Sequence, residues 1–224
     1  MRNAAFFDVD GTLTTERVWR GLLEYFEQRG QRRWTRRFFW ATHMPLYFLF
    51  KLGLASQSAF RRPWAAHLGW FVRGYSVEQA QPAWDWVASE YLTPFWRQDA
   101  LELVKRHKQA GDLVVLVSAG PTPLEQRIAE QLGADFAVGT DLEIRDGRYT
   151  GRSGQVCIDA FKASLTRAAL QRRGIEVDYA ASRAYADSPG DVHLLEMVGH
   201  PVAFHPDDQL RPIAVQRAWE IEGD

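Results

Sequence analysis

Apolar residues fall into two contrasting patterns along the chain. Near the N-terminus, Asn3–Val9 is a short and largely apolar run followed by a Gly-Thr turn, which predicts a buried strand. The β-branched run Leu113–Val117 predicts a second buried strand. Between them, from Arg17 to about Glu90, the chain is rich in Trp, Leu, Phe, Ala and Gln, which favours about four helices separated by helix-breaking residues. The expected breakers are Gly30, Pro45, Gly53, Pro63, Gly69 and Gly74.

Beyond residue 95 the strand and helix patterns alternate. Alternation of this kind implies a parallel sheet with helices on both faces. The predicted fold class is therefore α/β, with a Rossmann-like parallel-sheet core and an inserted α-helical cap. We expect residues 1–15 and 96–224 to form the core and residues 16–95 to form the cap. The predicted helices are Phe95–Gln109, Pro123–Leu132, Asp159–Arg173, Gly190–Val198 and Asp207–Arg217, and the predicted strands are Phe136–Val138, Asp141–Arg145, Tyr149–Thr150, Arg183–Ala186 and Pro201–Phe204.

Composition narrows the class of protein. The chain has 224 residues, which suits one sizeable domain or a core with a smaller insert, and its 46% hydrophobic and 25% charged residues are typical of a globular protein. Cys157 is the single cysteine, which excludes an internal disulfide framework and favours a cytoplasmic location. The longest apolar run, Phe38–Phe50, is shorter than the ~20 residues that a spanning helix needs.

Charge is distributed unevenly, although the net charge is only −1. No acidic residue occurs from Gln28 to Val77. Such a region is often simply a solvated face, but it can also attract an anionic substrate or the surface of an anionic membrane. No nucleic-acid-binding motif accompanies the charge, so nucleic acid is not an expected partner. The basic residues of the region are Arg29, Arg32, Arg33, Arg36, Arg37, Lys51, Arg61, Arg62 and Arg73.

Carboxyl and hydroxyl side chains follow three of the predicted strands. Asp8 and Asp10 follow the first strand, Ser118 follows the second, and Asp187 and Asp191 follow a later one. Because ligands bind at the carboxyl ends of strands in open parallel sheets, we expect these residues to share one crevice. Carboxylate and carbonyl oxygens suit Mg²⁺, and a carboxylate can attack phosphorus. The six histidines show no spacing typical of a zinc site.

Four segments resemble the four motifs of the haloacid dehalogenase-like (HAD) superfamily, in the family's order. The position of the insert between the first and second motifs resembles subfamily IB, which includes phosphoserine phosphatase and carries a C1-type cap. The stretch Leu194–Ala203 is also similar to that subgroup. The four segments are Asp8-Val9-Asp10-Gly11-Thr12-Leu13-Thr14, Val115-Leu116-Val117-Ser118, Lys162, and Ala186-Asp187-Ser188-Pro189-Gly190-Asp191.

The resemblance implies roles for the aspartates. Asp8 would attack phosphorus and bind Mg²⁺. Asp10 would protonate the leaving alcohol and then activate the hydrolytic water, while its backbone carbonyl binds the metal. Asp187 would be a further metal ligand, and Asp191 would support the metal site. The presence of Asp10 favours the phosphatase branch of the family over the dehalogenase branch.

The resemblance also implies a phosphate-binding set. Ser118 and a nearby backbone amide, at Ala119 or Gly120, would hold phosphate oxygens. Lys162 would neutralise the phosphate and the charge of Asp8.

Two positions depart from the family pattern. The fourth motif begins with Ala186, where glycine is common. Phosphoserine phosphatases carry a glutamate nine residues after the nucleophile, where it binds the substrate ammonium group. That position is Arg17 in this chain, with Glu16 beside it, which argues against phosphoserine as the substrate.

The expected function is that of a Mg²⁺-dependent phosphatase, which hydrolyses a small phosphate monoester through an aspartyl-phosphate. Transfer of phosphate to an alcohol from the same intermediate, as in a phosphotransferase or mutase, is one alternative. Another is a module that binds an anionic membrane or a protein partner through the basic, aromatic cap. The phosphatase and membrane readings are compatible if the substrate is a lipid or aromatic phosphate. The oligomeric state is left open.

Overall fold

A six-stranded parallel sheet forms the centre of the fold, in a computed structural model that describes residues 1–223. The last residue of the predicted core range lies outside the described residues. The strands are β1 (Ala4–Phe7), β2 (Leu113–Pro121), β3 (Phe136–Thr140), β4 (Leu142–Arg145), β5 (Arg148–Ser153), β6 (Arg183–Ala186), β7 (His200–Phe204) and β8 (Glu220–Glu222). The sheet order is β3-β2-β1-β6-β7-β8, and every neighbouring pair is parallel. Strands β4 and β5 form a separate antiparallel hairpin.

Five α-helices lie between β1 and β2, and the first four of them lie inside the segment 16–95 that was predicted as the cap. The predicted α/β fold with an inserted helical segment is therefore confirmed, whereas the division of the chain into two domains remains a prediction. We refer to residues 16–95 as the helical insertion. The helices of the chain are α1 (Val18–Gln28), α2 (Arg33–Lys51), α3 (Gln57–Ala66), α4 (Val77–Trp86), α5 (Gln98–Ala110), α6 (Thr122–Leu132), α7 (Ala160–Arg172), α8 (Val192–Leu195) and α9 (Leu210–Gln216).

Strand β1 is apolar throughout because both of its faces are buried. Ala5 and Phe7 pack into one hydrophobic cluster, and Ala4 and Phe6 pack into another on the opposite face. Phe7, the last residue of β1, lies opposite residues of both β2 and β6. The residues that follow these three strands consequently emerge at the same edge of the sheet.

The helical insertion shares its hydrophobic core with one face of the sheet. Phe26, Phe39 and Trp84 are buried in the same cluster as Phe7. The insertion is also joined to the β4–β5 hairpin, because Gly74 N donates to Tyr149 O at 2.7 Å and Tyr149 N donates to Tyr75 O at 2.9 Å. Packing and backbone hydrogen bonds therefore hold the insertion over the sheet at points far from its chain connections.

Three details of secondary structure differ from the sequence prediction. Pro45 and Pro63 lie inside α2 and α3 and do not end them. Each proline removes one helical hydrogen bond, but buried aromatic contacts such as those of Phe39 and Trp64 keep both helices in place. Strand β8 was not predicted, because its three residues carry little apolar pattern. Within residues 1–223, no helix combines the length and the apolar character needed to cross a bilayer.

Gly199, directly before β7, allows two backbone segments to approach closely. Its amide donates to Tyr179 O at 2.8 Å, and an added Cβ would lie 2.0 Å from Ala180 O. We expect Gly199→Ala to lower the free energy of unfolding by about 2 kcal/mol or more, because backbone must move to admit the methyl group. Urea denaturation measures the change.

Gly154→Ala is the matched control for this substitution, since the nearest atom to its added Cβ would be 3.8 Å away. Equal losses of stability in the two variants would show that the close approach at Gly199 does not contribute to the decrease in the free energy of unfolding.

Candidate active site

Three strands deliver polar side chains to one edge of the sheet. Asp8 directly follows β1, and Asp187 directly follows β6. Ser118 lies in the second half of β2, where the pairing of β2 with β3 loses its regular register between Val117 and Pro121. Because β1 lies between β2 and β6, the three side chains are neighbours at the point where the strand order reverses. This edge is the candidate active site.

Lys162 comes to the same place from the first turn of α7. It is buried, and its Nζ donates to Asp8 Oδ1 at 2.5 Å and to Asp191 Oδ1. Asp191 is held in turn by Ser188, whose Oγ donates to Asp191 Oδ2 at 2.8 Å. Burial alone would lower the pKa of Lys162, but the attraction of Asp191 and Asp8 raises it above its ordinary value. Lys162 is therefore a charged ammonium at neutral pH.

Asp8, Asp187 and Asp191 form a cluster of three buried carboxylates. One oxygen of each lies within 4.8 Å of the others. Burial, followed by repulsion from Asp8 and Asp191, raises the pKa of Asp187 to about 8. When all three are ionised, the carboxylates carry more negative charge than Lys162 alone can balance. The cluster therefore fits a divalent cation that prefers oxygen ligands, such as Mg²⁺.

Gly11 and Thr12 support this cluster, although no individual role was predicted for either residue. Thr12 Oγ1 lies 3.2 Å from Asp8 Oδ2 and 3.3 Å from Asp187 Oδ1, and it can donate its single hydrogen to one of them at a time. Gly11 has a φ of 110°, and an added Cβ would lie 2.1 Å from Asp187 Oδ2. Any larger residue at position 11 would displace Asp187.

Asp10 is not a member of the three-carboxylate cluster. Its Oδ1 accepts a hydrogen bond of 2.8 Å from Val18 N at the start of α1. Burial raises the pKa of Asp10 to about 6, against the lowering influence of Arg17 and of that hydrogen bond. The backbone carbonyl of Asp10 accepts a hydrogen bond from the guanidinium of Arg17. Arg17 therefore forms a hydrogen bond with the same carbonyl oxygen that was expected to bind the metal.

Ser118 is hydrogen-bonded to Glu125, a residue that was not predicted as part of the site. Its Oγ accepts from Gly120 N at 3.2 Å and lies 2.7 Å from Glu125 Oε1, to which it donates. Glu125 is completely buried, and its Oε2 has no hydrogen-bond partner among the described residues. Burial, followed by repulsion from Asp10, raises the pKa of Glu125 to about 8. The sequence feature that could have identified Glu125 is a glutamate, next to Leu124, on the apolar face of α6.

A cavity of about 520 Å³ opens in front of these groups. Its floor includes Asp10, Asp187 and Ser188, together with Ala119 and Gly120 from the end of β2. The helical insertion supplies the opposite wall. That wall is aromatic and basic, and it consists of Arg17, Trp19, Arg20, Trp40, Met44, Tyr47, Phe50, Phe60, Arg61, Trp64, Ala65 and Leu68.

The sequence of this chain is similar to those of known hydrolases over most of its length. The model of the haloacid dehalogenase-like hydrolase family matches residues 5–196. A phosphoserine phosphatase of Mycobacterium tuberculosis, SerB1, is 34% identical over 225 residues, which cover 97% of this chain and 70% of the relative. A histidinol-phosphatase of Neisseria meningitidis serogroup C is 28% identical over 233 residues, which cover 99% of this chain and 98% of the relative.

The fold is also present among solved structures. A Bordetella pertussis protein of unknown function superimposes with a TM-score of 0.82 at 28% identity, over 100% of this chain and 99% of that protein. The similarity therefore includes both the sheet and the helical insertion.

Glu125 makes stability depend on pH in a direction that can be measured. Its pKa is about 8 in the folded chain and near the ordinary 4.5 in the unfolded chain. Between these values the unfolded state releases the proton and the folded state retains it, so rising pH favours unfolding by at most about 1.4 kcal/mol per pH unit. Glu125→Gln removes this dependence. We expect the variant to gain stability relative to the wild type as pH rises from 5 to 8.

Urea unfolding at a series of pH values measures this difference. Glu102→Gln, on the exposed side of α5, is the control and should give a difference from the wild type that is independent of pH. A constant difference for Glu125→Gln as well would contradict a protonated Glu125.

Proposed function

The chain belongs to the haloacid dehalogenase-like hydrolase family and is a phosphatase of that family; from this premise we propose that it hydrolyses a small phosphate monoester through an aspartyl-phosphate on Asp8, with Mg²⁺ as its metal. One observation carries the proposal. Asp8 lies at the end of the central strand, bonded to Lys162 on one oxygen and grouped with Asp187 and Asp191. It is the carboxylate that the Lys162 ammonium contacts and that also belongs to the cluster proposed to bind the metal.

In the first proposed step, a carboxylate oxygen of Asp8 attacks phosphorus as the bond to the leaving oxygen breaks. Asp10 donates its proton to that oxygen, so the product leaves as an alcohol. The pKa of about 6 makes Asp10 able to hold and release a proton near neutral pH. The position of Asp10 outside the carboxylate cluster and on the cavity wall supports this role.

In the second step, Asp10 takes a proton from water as the water oxygen attacks the phosphorus of the aspartyl-phosphate. The bond between phosphorus and the Asp8 oxygen breaks, which restores Asp8 as a carboxylate and releases inorganic phosphate. The charges of the chain are unchanged over the full cycle. The aromatic wall of the insertion would limit the access of other water molecules to the site.

Phosphate binding is assigned to Ser118, the amides at Ala119 and Gly120, and Lys162. The ammonium of Lys162 would balance the charge of phosphate beside Asp8. Ser118 would turn its hydroxyl hydrogen from Glu125 to a phosphate oxygen. Glu125 is neutral below pH 8, so it would bring no repelling charge to the phosphate.

The metal is assigned to Asp8, Asp187 and Asp191, with the carbonyl of Asp10 as a further ligand once Arg17 releases it. When bound, Mg²⁺ supplies positive charge that offsets repulsion between the carboxylate and phosphate. The need of the buried carboxylates for positive charge supports this assignment.

The leaving group is proposed to be apolar or aromatic. Trp19, Trp40 and Trp64 line the cavity, and Arg17 stands where phosphoserine phosphatases bind the substrate ammonium with a glutamate. A cationic wall disfavours an ammonium group and suits a substrate without one. Phosphoserine and histidinol phosphate, named in relatives, are the natural comparison substrates. The cytoplasmic location remains a prediction from Cys157.

Asp8→Asn tests the nucleophile. An amide is a far weaker nucleophile than a carboxylate, so we expect release of phosphate from an aryl phosphate to fall by about a thousandfold or more. Asp146→Asn, in the exposed β4–β5 turn, is the control and should retain full activity. Urea unfolding establishes that both variants are folded. Turnover by folded Asp8→Asn at a rate near the wild type would refute the mechanism.

Exchange of the metal tests the carboxylate cluster. Protein treated with a chelator should lose turnover, and added Mg²⁺ should restore it. Ca²⁺ should inhibit, because it accepts more ligands in looser geometry and would not align Asp8 for attack. Initial rates with an aryl phosphate measure the effect, and equal rates in Mg²⁺, Ca²⁺ and chelator would exclude a metal-dependent site.

A further inference from the structure

Helix α2 is apolar on two opposite sides. Its inner side packs into the helical insertion, where Phe39 and His43 are fully buried. Its outer side carries large apolar residues in water: Trp34 is 78% exposed, Phe38 59%, Phe48 57% and Leu52 72%. A helix that packs against a globular core is expected to be polar on its outer side.

The exposed apolar residues form one continuous row, which we call the outer stripe. Successive members are three or four residues apart, so they lie on one face of the helix. The row extends into the turn after α2, where Leu54 is also exposed. Exposed apolar surface of this extent marks an interaction site. The outer stripe consists of Trp34, Phe38, Ala41, Pro45, Phe48 and Leu52.

Basic side chains border the outer stripe along one edge. Helical spacing puts Arg33, Arg37 and Lys51 on this edge, between the stripe and the side of α2 that lines the cavity. Arg37 lies over the Trp34 ring at 5.1 Å, and Lys51 lies over the Tyr47 ring at 5.6 Å. None of the three forms an ion pair with an acid in residues 1–223. The edge therefore presents positive charge directly beside apolar surface.

The combination of positive charge and exposed apolar surface indicates which kind of partner the outer stripe can bind. A second copy of the chain would bring two basic, acid-free surfaces together, and their repulsion would oppose association. An anionic bilayer accepts both features, since its headgroups attract Lys and Arg and its interface takes Trp, Phe and Leu. We propose that the outer stripe and its basic edge dock on the surface of an anionic lipid bilayer, with α2 lying in the plane of the interface.

Docking in this way leaves the catalytic groups in place. Trp40, Met44 and Tyr47 line the cavity from a different side of α2, together with Asp10 and Asp187 from the edge of the sheet. Membrane docking through the outer stripe is therefore independent of the proposed chemistry at Asp8. A change to the outer stripe or its edge can alter membrane binding while hydrolysis of a soluble aryl phosphate continues.

Vesicle flotation tests the basic edge. The probes are vesicles of phosphatidylcholine alone and of phosphatidylcholine with phosphatidylglycerol in equal parts. We expect the wild type to bind only the anionic vesicles. The triple variant Arg33→Gln, Arg37→Gln and Lys51→Gln should bind them roughly a hundredfold less, because each surface charge contributes about a factor of five.

A charge-matched control separates this surface from general attraction. The triple variant Lys105→Gln, Arg106→Gln and Arg172→Gln removes three exposed charges elsewhere and should keep binding within about twofold of the wild type. Equal loss in both triple variants would overturn the proposal, because net charge and not this surface would then control binding.

The apolar contribution is tested by Phe48→Ser combined with Leu52→Ser. We expect this variant to lose vesicle binding and to hydrolyse the soluble aryl phosphate at the wild-type rate, which also shows that it is folded. Absence of binding by the wild type to anionic vesicles would overturn the proposal. So would a wild-type dimer in gel filtration that this variant converts to a monomer, since a second copy would then cover the stripe.

Discussion

The buried charge cluster at the end of β1 is the constraint around which the structure is arranged. Asp8, Asp187 and Asp191 come together because parallel strands end at one edge, and like charges in a buried place are costly without compensation. Lys162 supplies one positive charge from α7, and Ser188 and Thr12 supply hydrogen bonds. The remaining imbalance explains why a cation belongs in the proposed chemistry. The close approach of the Asp187 side chain leaves no room for a side chain at Gly11.

The helical insertion has two different surfaces because it has two different neighbours. Its inner aromatic residues complete the core above the sheet and form the wall of the cavity. Its outer residues on α2 are also aromatic, but more than half of the surface of Trp34, Phe38 and Phe48 is exposed. The apolar, basic outer surface and part of the cavity wall, including Arg61, occur in the same acid-free segment, Gln28–Val77. One stretch of sequence thus serves the substrate on one side and, as proposed, a membrane on the other.

Glu125 shows how a neutral carboxyl group can support an anion site. A charged glutamate beside Ser118 would repel phosphate, whereas a protonated one accepts the Ser118 hydroxyl without adding charge. Burial on the apolar face of α6 keeps it protonated, and the same burial leaves Oε2 without a partner. Arg17 has a comparable double role, because it holds the Asp10 carbonyl and faces the cavity where it can meet the substrate.

Sequence alone determined the strand–helix alternation, and with it the α/β fold and the shared edge that collects Asp8, Ser118 and Asp187, because hydrophobic periodicity is local and parallel strands end together. It also identified the helical insertion and the absence of acids from Gln28 to Val77 within it. Only the tertiary structure decided that α2 and α3 continue through Pro45 and Pro63, since packing outweighs local helix breaking. It also decided that Glu125 is buried against Ser118, that Arg17 reaches the Asp10 carbonyl, and which side of α2 faces water. These outcomes depend on neighbours distant in sequence, which no local pattern records.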